Sequence, residues 1–374
     1  MEGYKFFSEV KDLYSLLSDE QSKNLFLSRI KCDIDDSFSN ILELAGFSGL
    51  FSKEQQDFQK NWKDICSLIR KKDKKILLYG AGKLGRKVAD FIIKQGLDFD
   101  GFCDVNYDKI SDGELYGKNI YSPEWLFANK ENIYVIITVL FEIDTVKEFL
   151  LSNAFPKENI LDFFRLEINH RDGLQYFEFI DYMRENTVFV DAGCYDGIDS
   201  IRFAEKYKGV YSKIYAFEPD HNNFLNCFNN LKLLSRTEVV EAGVSDTTTK
   251  LSFEKTGTMG SKIVNADNSN LVKADGNEIE IETIDVVALD EFIKNETVGF
   301  IKMDVEGAEM SALIGAKNII VTQKPMLAIC VYHKPGDVLE IMSCLHELVP
   351  EYKFYLRHYS TWHYETVLYA VIEN

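Results

Sequence analysis

The residues best suited to chemistry lie at the end of an apolar run. The segment "VGFIKMDVEGAEMSALIGA" (298–316) delivers Asp304, Glu306 and Glu309 within six positions, with Gly307 among them. Such a run reads as a buried strand, and acids at its carboxyl end can cap the helix that follows. They can equally take a proton from a reacting group or offer oxygen ligands to a hard cation. Asp304 is the first candidate for either role and Glu306 the second. Lys302 alternates with Asp304, so both side chains share a face and the lysine becomes a charge partner for the acids. Glu309 falls inside the helical pattern and is expected to face solvent. His333, in "MLAICVYHKPGD", ends another apolar run and is a candidate base or hydrogen-bond partner, with a plain core or surface histidine as the alternative. No His-x-His or cysteine cluster suggests a transition-metal site.

Two glycine turns ask for different ligands. Gly80-Ala-Gly82-Lys-Leu-Gly85 stands between an apolar run and an amphipathic one, a spacing that lets backbone approach a pyrophosphate at a helix N-terminus. Lys83 and Arg86 flank it, and Asp104, closing the next apolar run, could bond ribose hydroxyls. A tight structural turn with no ligand is the alternative. The second turn, Asp191-Ala-Gly193-Cys-Tyr195-Asp196-Gly197, puts acids where a pyrophosphate would sit, which is electrostatically poor. A cationic, phosphate-free ligand such as S-adenosylmethionine (SAM) suits it. Glu218 would then hold the ribose, with Ser245 and Asp246 near the adenine. The plain alternative is that Asp196 and Asp199 complement a helix dipole.

The elements that must position these groups alternate strand and helix. Residues 1–70 read as helices, in "YSLLSDEQSKNLFLSRI" and "FQKNWKDICSLIRKK", and carry no chemical signature. From Lys75 strands are expected at "KKILLY", "FDGFCDVN" and "IYVIITV", giving a Rossmann-like unit over 71–168. The alternation restarts with strands at 187–191, 213–218 and 239–244. A polar stretch from Thr247 to about Asn277 reads as a hairpin and loop, followed by strands at "EIEIETIDV", 298–304, 326–332, 353–359 and 366–372. The last two form an antiparallel pair. The fold class is therefore α/β with two Rossmann-like units after a helical segment. Arg357 and His358 could hold a polar substrate while Tyr359, Trp362 and Tyr364 pack on a sugar face; an ordinary aromatic hairpin explains them as well.

A chain of 374 residues exceeds what one core usually serves, so two domains are expected. Its formal charge of −18 disfavours a nucleic-acid partner, which needs a basic face to release counterions. Seven cysteines, odd in number and with no CxxC pair, give no disulfide framework. "MEGYKFFSEV" lacks the pattern of a signal peptide, and no apolar run approaches the roughly 20 residues of a membrane helix. A soluble cytoplasmic protein is the expectation.

"VFVDAGCYDGIDS", "YAFEPD", "GVSD", "ALDEFI" and above all "IKMDVEGAE" resemble the FkbM family of SAM-dependent methyltransferases over roughly residues 185–374. The resemblance implies a class I methyltransferase fold over 169–374, a mostly parallel seven-stranded sheet with an antiparallel last hairpin. It also implies O-methylation of a sugar, glycan precursor or related metabolite. Related sugar O-methyltransferases use a hard metal near this strand end, so a divalent cation such as Mg²⁺ held by Asp304 and Glu306 is a further expectation. More loosely, the amino-terminal unit is similar to nucleotide- or sugar-nucleotide-binding domains found beside sugar-modifying enzymes. A homo-oligomer is compatible with the helical segment. An NAD(P)-dependent sugar-nucleotide oxidoreductase or epimerase working at Gly80–Gly85 is the rival reading, although no Tyr-x-x-x-Lys pair supports it: Tyr107 is followed by Ser111 and Tyr121 by Trp125. A non-catalytic amino-terminal scaffold is the third.

Overall fold

The computed structural model describes residues 2–46, 63–110, 114–139, 143–161, 174–207, 209–255, 262–264, 280–360 and 362–373. It divides into two compact units, residues 35–170 and residues 1–34 with 171–374. The helical segment expected over 1–70 is thereby shared between units: Glu2–Leu16 and Glu20–Ile34 belong to the second, Phe38–Gly46 and a helix over 63–71 to the first. The run "YSLLSDEQSKNLFLSRI" is interrupted at Leu17–Asp19, where Asp19 Oδ1 accepts the Ser22 N–H at 2.7 Å and starts the next helix. Residues 58–62 of the second run lie outside the described residues.

The unit of residues 35–170 contains β1 (Lys75–Tyr79), β2 (Gly101–Cys103), β3 (Glu114–Leu115), β4 (Lys118–Tyr121), β5 (Ile133–Ile137) and β6 (Ile160–Leu161). They form one sheet in the order β3-β4-β2-β1-β5-β6, parallel except for β3 against β4. Leu77, Val135 and Ile137 pack with Leu126 and Leu150 in its core. Both oxygens of Asp104 accept backbone N–H groups, Ala81 of the glycine turn and Asn106, each at 2.8 Å. The acid considered for ribose thus fixes the turn beside it.

The other unit holds β7 (Val188–Ala192), β8 (Lys213–Phe217), β9 (Thr237–Val240), β10 (Gly243–Val244), β11 (Thr249–Lys255), β12 (Lys262–Val264), β13 (Glu280–Val287), β14 (Val298–Met303), β15 (Met326–Cys330), β16 (Lys353–His358) and β17 (Thr366–Val371). Its main sheet has seven strands in the order β16-β17-β15-β14-β7-β8-β9. β17 runs antiparallel to both neighbours and the remaining pairs are parallel. The α/β class and the antiparallel final hairpin are as the sequence indicates. β7 and β14 are buried at every position, as strands covered on both faces must be. Phe189 stacks between Phe203 and Phe300 at ring distances of 4.2 and 4.8 Å, joining the helix Ile198–Tyr207 to the sheet.

One expected strand is divided. The run 239–244 splits into β9, which ends the main sheet, and β10, which pairs with β13 in a second sheet of order β10-β13-β11-β12. β11 and β12 supply the hairpin expected after Thr247, and residues 265–279 of that stretch lie outside the described residues. The helix Glu20–Ile34 lies against β16: Leu356 N donates to Ser22 Oγ at 2.9 Å, and Ser18 N donates to the Phe354 carbonyl at 2.9 Å. No described helix is long and apolar enough to cross a membrane.

Candidate active site

Strand order reverses between β7 and β14, so a crevice opens beyond their carboxyl ends. The two strand ends are locked together there. Asp304 N donates to the Ala192 carbonyl at 3.0 Å, and a Cβ on Gly193 would lie 1.9 Å from the Asp304 carbonyl oxygen. Gly193 also has φ +78°, so only glycine fits this junction. Lys302, 2% exposed, reaches across from β14 and bonds Asp191 Oδ1 and the Gly193 carbonyl, each at 2.9 Å. Asp199 lies 3.7 Å from the same ammonium, whose charge also faces the Tyr176 ring at 5.0 Å. Burial pulls the Lys302 ammonium down, and Asp191, Asp199 and Asp304 outweigh that and hold it well above its ordinary value. Ser200 Oγ donates to the other Asp191 oxygen at 2.7 Å. Asp191 and Lys302 thus shape the glycine turn from beneath.

On the β8 side, Glu218 accepts the Tyr195 N–H at 3.0 Å and the Asp220 N–H at 2.9 Å. Burial raises its carboxyl to about 7, against those two N–H groups, which lower it. Tyr195 is exposed and left-handed at φ +51°. Asp196 Oδ1 caps the next helix by accepting the Ile198 N–H at 3.1 Å. A Cβ on Gly197 would come within 2.9 Å of Leu231, so that glycine serves helix packing. Ser245, buried at the end of β10, donates to Asp246 Oδ1 at 3.1 Å.

Beyond β14 the acids converge on one imidazole. Asp304 is clamped by two tyrosines, accepting from Tyr176 Oη at 2.8 Å and Tyr332 Oη at 3.2 Å. His333 Nε2 lies 3.5 Å from Asp304 and 3.6 Å from Glu306; Nδ1 lies 2.9 Å from Glu309 Oε1, off the line of a hydrogen bond. Burial lowers the imidazole, yet Glu309, Asp304 and Glu306 together raise it to about 9. Burial pushes Glu306 up to about 7, with Asp304 and Glu309 adding to the rise and His333 opposing it. Burial likewise opposes ionisation of Asp304, but His333 and Lys302 outweigh it and lower that carboxyl. Tyr176, Tyr195 and Glu306 all have φ between +50° and +70°, and each costs about 1–3 kcal/mol, strain that clusters at functional sites.

One expectation needs correcting here. Glu309 is 1% exposed, not solvent-facing: its Oε1 accepts the Val305 and Gly307 N–H groups at 3.0 and 3.3 Å, so the acid folds inward to hold its own loop. Asp304, Glu309 and His333 each place a ligand atom within 4.8 Å of the others, a set that does not include the expected Glu306. Arg357 is buried in ion pairs with Glu178 and Asp19 at 2.6 and 2.8 Å, and His358 is buried against Thr366. Tyr359 bonds Glu178 and Tyr369, and Trp362 is buried, so these four belong to the packing of the last hairpin. Tyr364 of that group lies edge-on to Tyr332 at 6.0 Å. Tyr176 and Tyr332 had no signature beyond the adjacency of Tyr332 to His333.

Residues 191–353 match the model of the methyltransferase FkbM domain, a span running from the last part of β7 to the start of β16 and taking in Glu218, Asp304 and His333. Similar solved structures include the methyltransferase FkbM from Methylobacillus flagellatus KT, 19% identical, covering 82% of this chain and 93% of that one at a TM-score of 0.45. An rRNA methylase from Streptococcus thermophilus is 15% identical over 52% of this chain and 91% of that chain, TM-score 0.32. A putative methyltransferase from Streptococcus mutans in complex with SAH is 13% identical over 51% and 94%, TM-score 0.32. No curated protein matches. The family match, rather than these distant structural likenesses, identifies a methyltransferase domain in the chain.

Proposed function

We propose that the unit built around β7 and β14 transfers a methyl group from SAM to a hydroxyl of a small acceptor, a sugar, glycan precursor or related metabolite. The observation that carries this reading is the junction of Asp304 with the glycine turn. An acid held by two tyrosines abuts the backbone at which the family's cofactor would lie. The residues present fit that cofactor. The turn at Gly193 has no room for a side chain, the surrounding charge is acidic, and Glu218 is a buried carboxylate with lone pairs to offer a diol. SAM would supply an electrophilic methyl on a sulfonium. Asp191, with both oxygens engaged by Lys302 and Ser200, supports the turn rather than the ligand.

On the acceptor side, Asp304 orients the hydroxyl and Glu306 takes its proton. Two features of the geometry support this division. Tyrosine hydroxyls occupy both Asp304 oxygens, whereas Glu306 stands on the rim with 36% of its side chain exposed. A hydroxyl acceptor is favoured because the site presents carboxylates on the acceptor side, the groups that can remove an alcohol proton as the methyl arrives.

Calorimetry should show SAM binding to the purified protein and NADH not binding; tight NADH binding without SAM would shift the assignment to the oxidoreductase. Glu218→Gln should weaken SAM by roughly 10- to 100-fold, as loss of charge-assisted bonds worth about 1.5–3 kcal/mol predicts. Because the acceptor form of Glu218 is its carboxylate and burial holds it at about 7, SAM affinity should rise as pH is raised through that value and fall below it. The Gln variant should flatten this dependence. An unchanged affinity in Glu218→Gln would remove the ribose assignment.

A further inference from the structure

We propose that Asp304, Glu309 and His333 form a binding site for a first-row divalent cation. The three come from separate places, the end of β14, the start of the helix Glu309–Gly315 and the loop after β15, yet their ligand atoms converge to within 4.8 Å of one another. Ligands about 2.0–2.2 Å from a cation stand up to about 4.4 Å apart when opposite, so closure on an ion needs a shift of a few tenths of an ångström.

An independent observation points into the same space. The His333 side chain is nine-tenths buried and faces three carboxylates, Glu309 at 2.9 Å among them, yet neither ring nitrogen meets hydrogen-bond geometry with any described residue. Glu309 Oε2 is buried without a hydrogen-bond partner as well. Buried polar atoms are ordinarily satisfied, and each exception calls for a cause. An ion would take one ring nitrogen of His333 and could take the free oxygen of Glu309.

The site is also braced as metal ligands are. Tyr176 and Tyr332 fix Asp304, and the Val305 and Gly307 N–H groups fix Glu309. The nearby Lys334 ammonium is directed to the Gly307 carbonyl, leaving the carboxylate cluster to His333. One imidazole with two carboxylates favours ions such as Mn²⁺ or Zn²⁺ over Ca²⁺, which prefers oxygen alone. The site stands on geometry; its use, polarising an acceptor oxygen beside Glu306, rests on the methyltransferase reading.

The test is titration of Mn²⁺ alone into chelator-treated full-length protein, followed by loss of the free-ion paramagnetic resonance signal. One Mn²⁺ per chain is expected, with affinity at least about tenfold weaker in both His333→Gln and Glu309→Gln, as the loss of a direct ligand implies. Glu309 also holds its loop, so thermal unfolding of each variant is measured in parallel and His333→Gln decides if Glu309→Gln does not fold. Absence of binding, or binding equal in wild type and a folded His333→Gln, overturns the site, the latter marking ions scattered on an acidic surface. SAM is titrated into the same samples: SAM binding without Mn²⁺ binding sinks this inference alone, while failure of SAM to bind sinks the functional reading and leaves the cation site to its own result.

Discussion

Glu306→Gln is expected to slow methyl transfer by about 10²–10⁴-fold while leaving SAM affinity within about twofold, because general-base catalysis contributes on that scale and the proposed function puts the residue on the acceptor side. The side chain keeps its length and loses only its capacity to accept a full proton. The backbone at Glu306 is left-handed, which glutamine tolerates as well or as poorly as glutamate, so the fold should be unaffected. Asp304→Asn makes the informative comparison. The Asp304 carboxylate accepts from two tyrosine hydroxyls, and an amide nitrogen would face one of those donors, so this variant should misplace the acceptor and raise its KM as well as lower kcat. Single-turnover rates with saturating acceptor separate the two. Full activity in Glu306→Gln would return the proton transfer to Asp304 or His333.

Lys302→Met should destabilise the protein by about 3–5 kcal/mol, the usual penalty for removing one partner of a buried ion pair. Two features make the effect large here. Asp191 is completely buried and would lose its ammonium partner, and the Gly193 carbonyl would lose the same donor. Urea unfolding measures the loss directly. Combining Lys302→Met with Asp191→Asn should recover part of it, since the second change removes the stranded charge. A loss below about 1 kcal/mol, the range of exposed pairs, would mean that water reaches the pair and that it does not brace the turn. Weaker SAM binding is expected in the single variant because the glycine turn loses its support from β14.

The chain's local pattern was enough for much of this. Runs of five or six residues at 188–192, 298–303 and 326–330, apolar but for Asp191 and Lys302, read as covered strands, and their alternation with amphipathic helices points to a parallel sheet. Once β7 and β14 are neighbours, the acids that end β14 must meet the glycine turn that ends β7. The side-chain period of two likewise put Lys302 and Asp304 on one face.

Tertiary structure decided which carboxylates turn inward. Glu309 continues a helical pattern, and helical phase alone cannot say whether its first turn faces water or the loop folded against it; two backbone N–H groups and His333 drew it in. Arg357 and His358 sit in a strand whose exposed edge would suit a substrate, until helix Glu20–Ile34, more than 300 residues earlier, lies over it. The strand expected over 239–244 is likewise divided by pairing with β13, far along the chain. Sequence periodicity reports the neighbours a residue has along the chain, whereas burial, charge pairing and proton affinity depend on the neighbours it acquires when distant segments close over it.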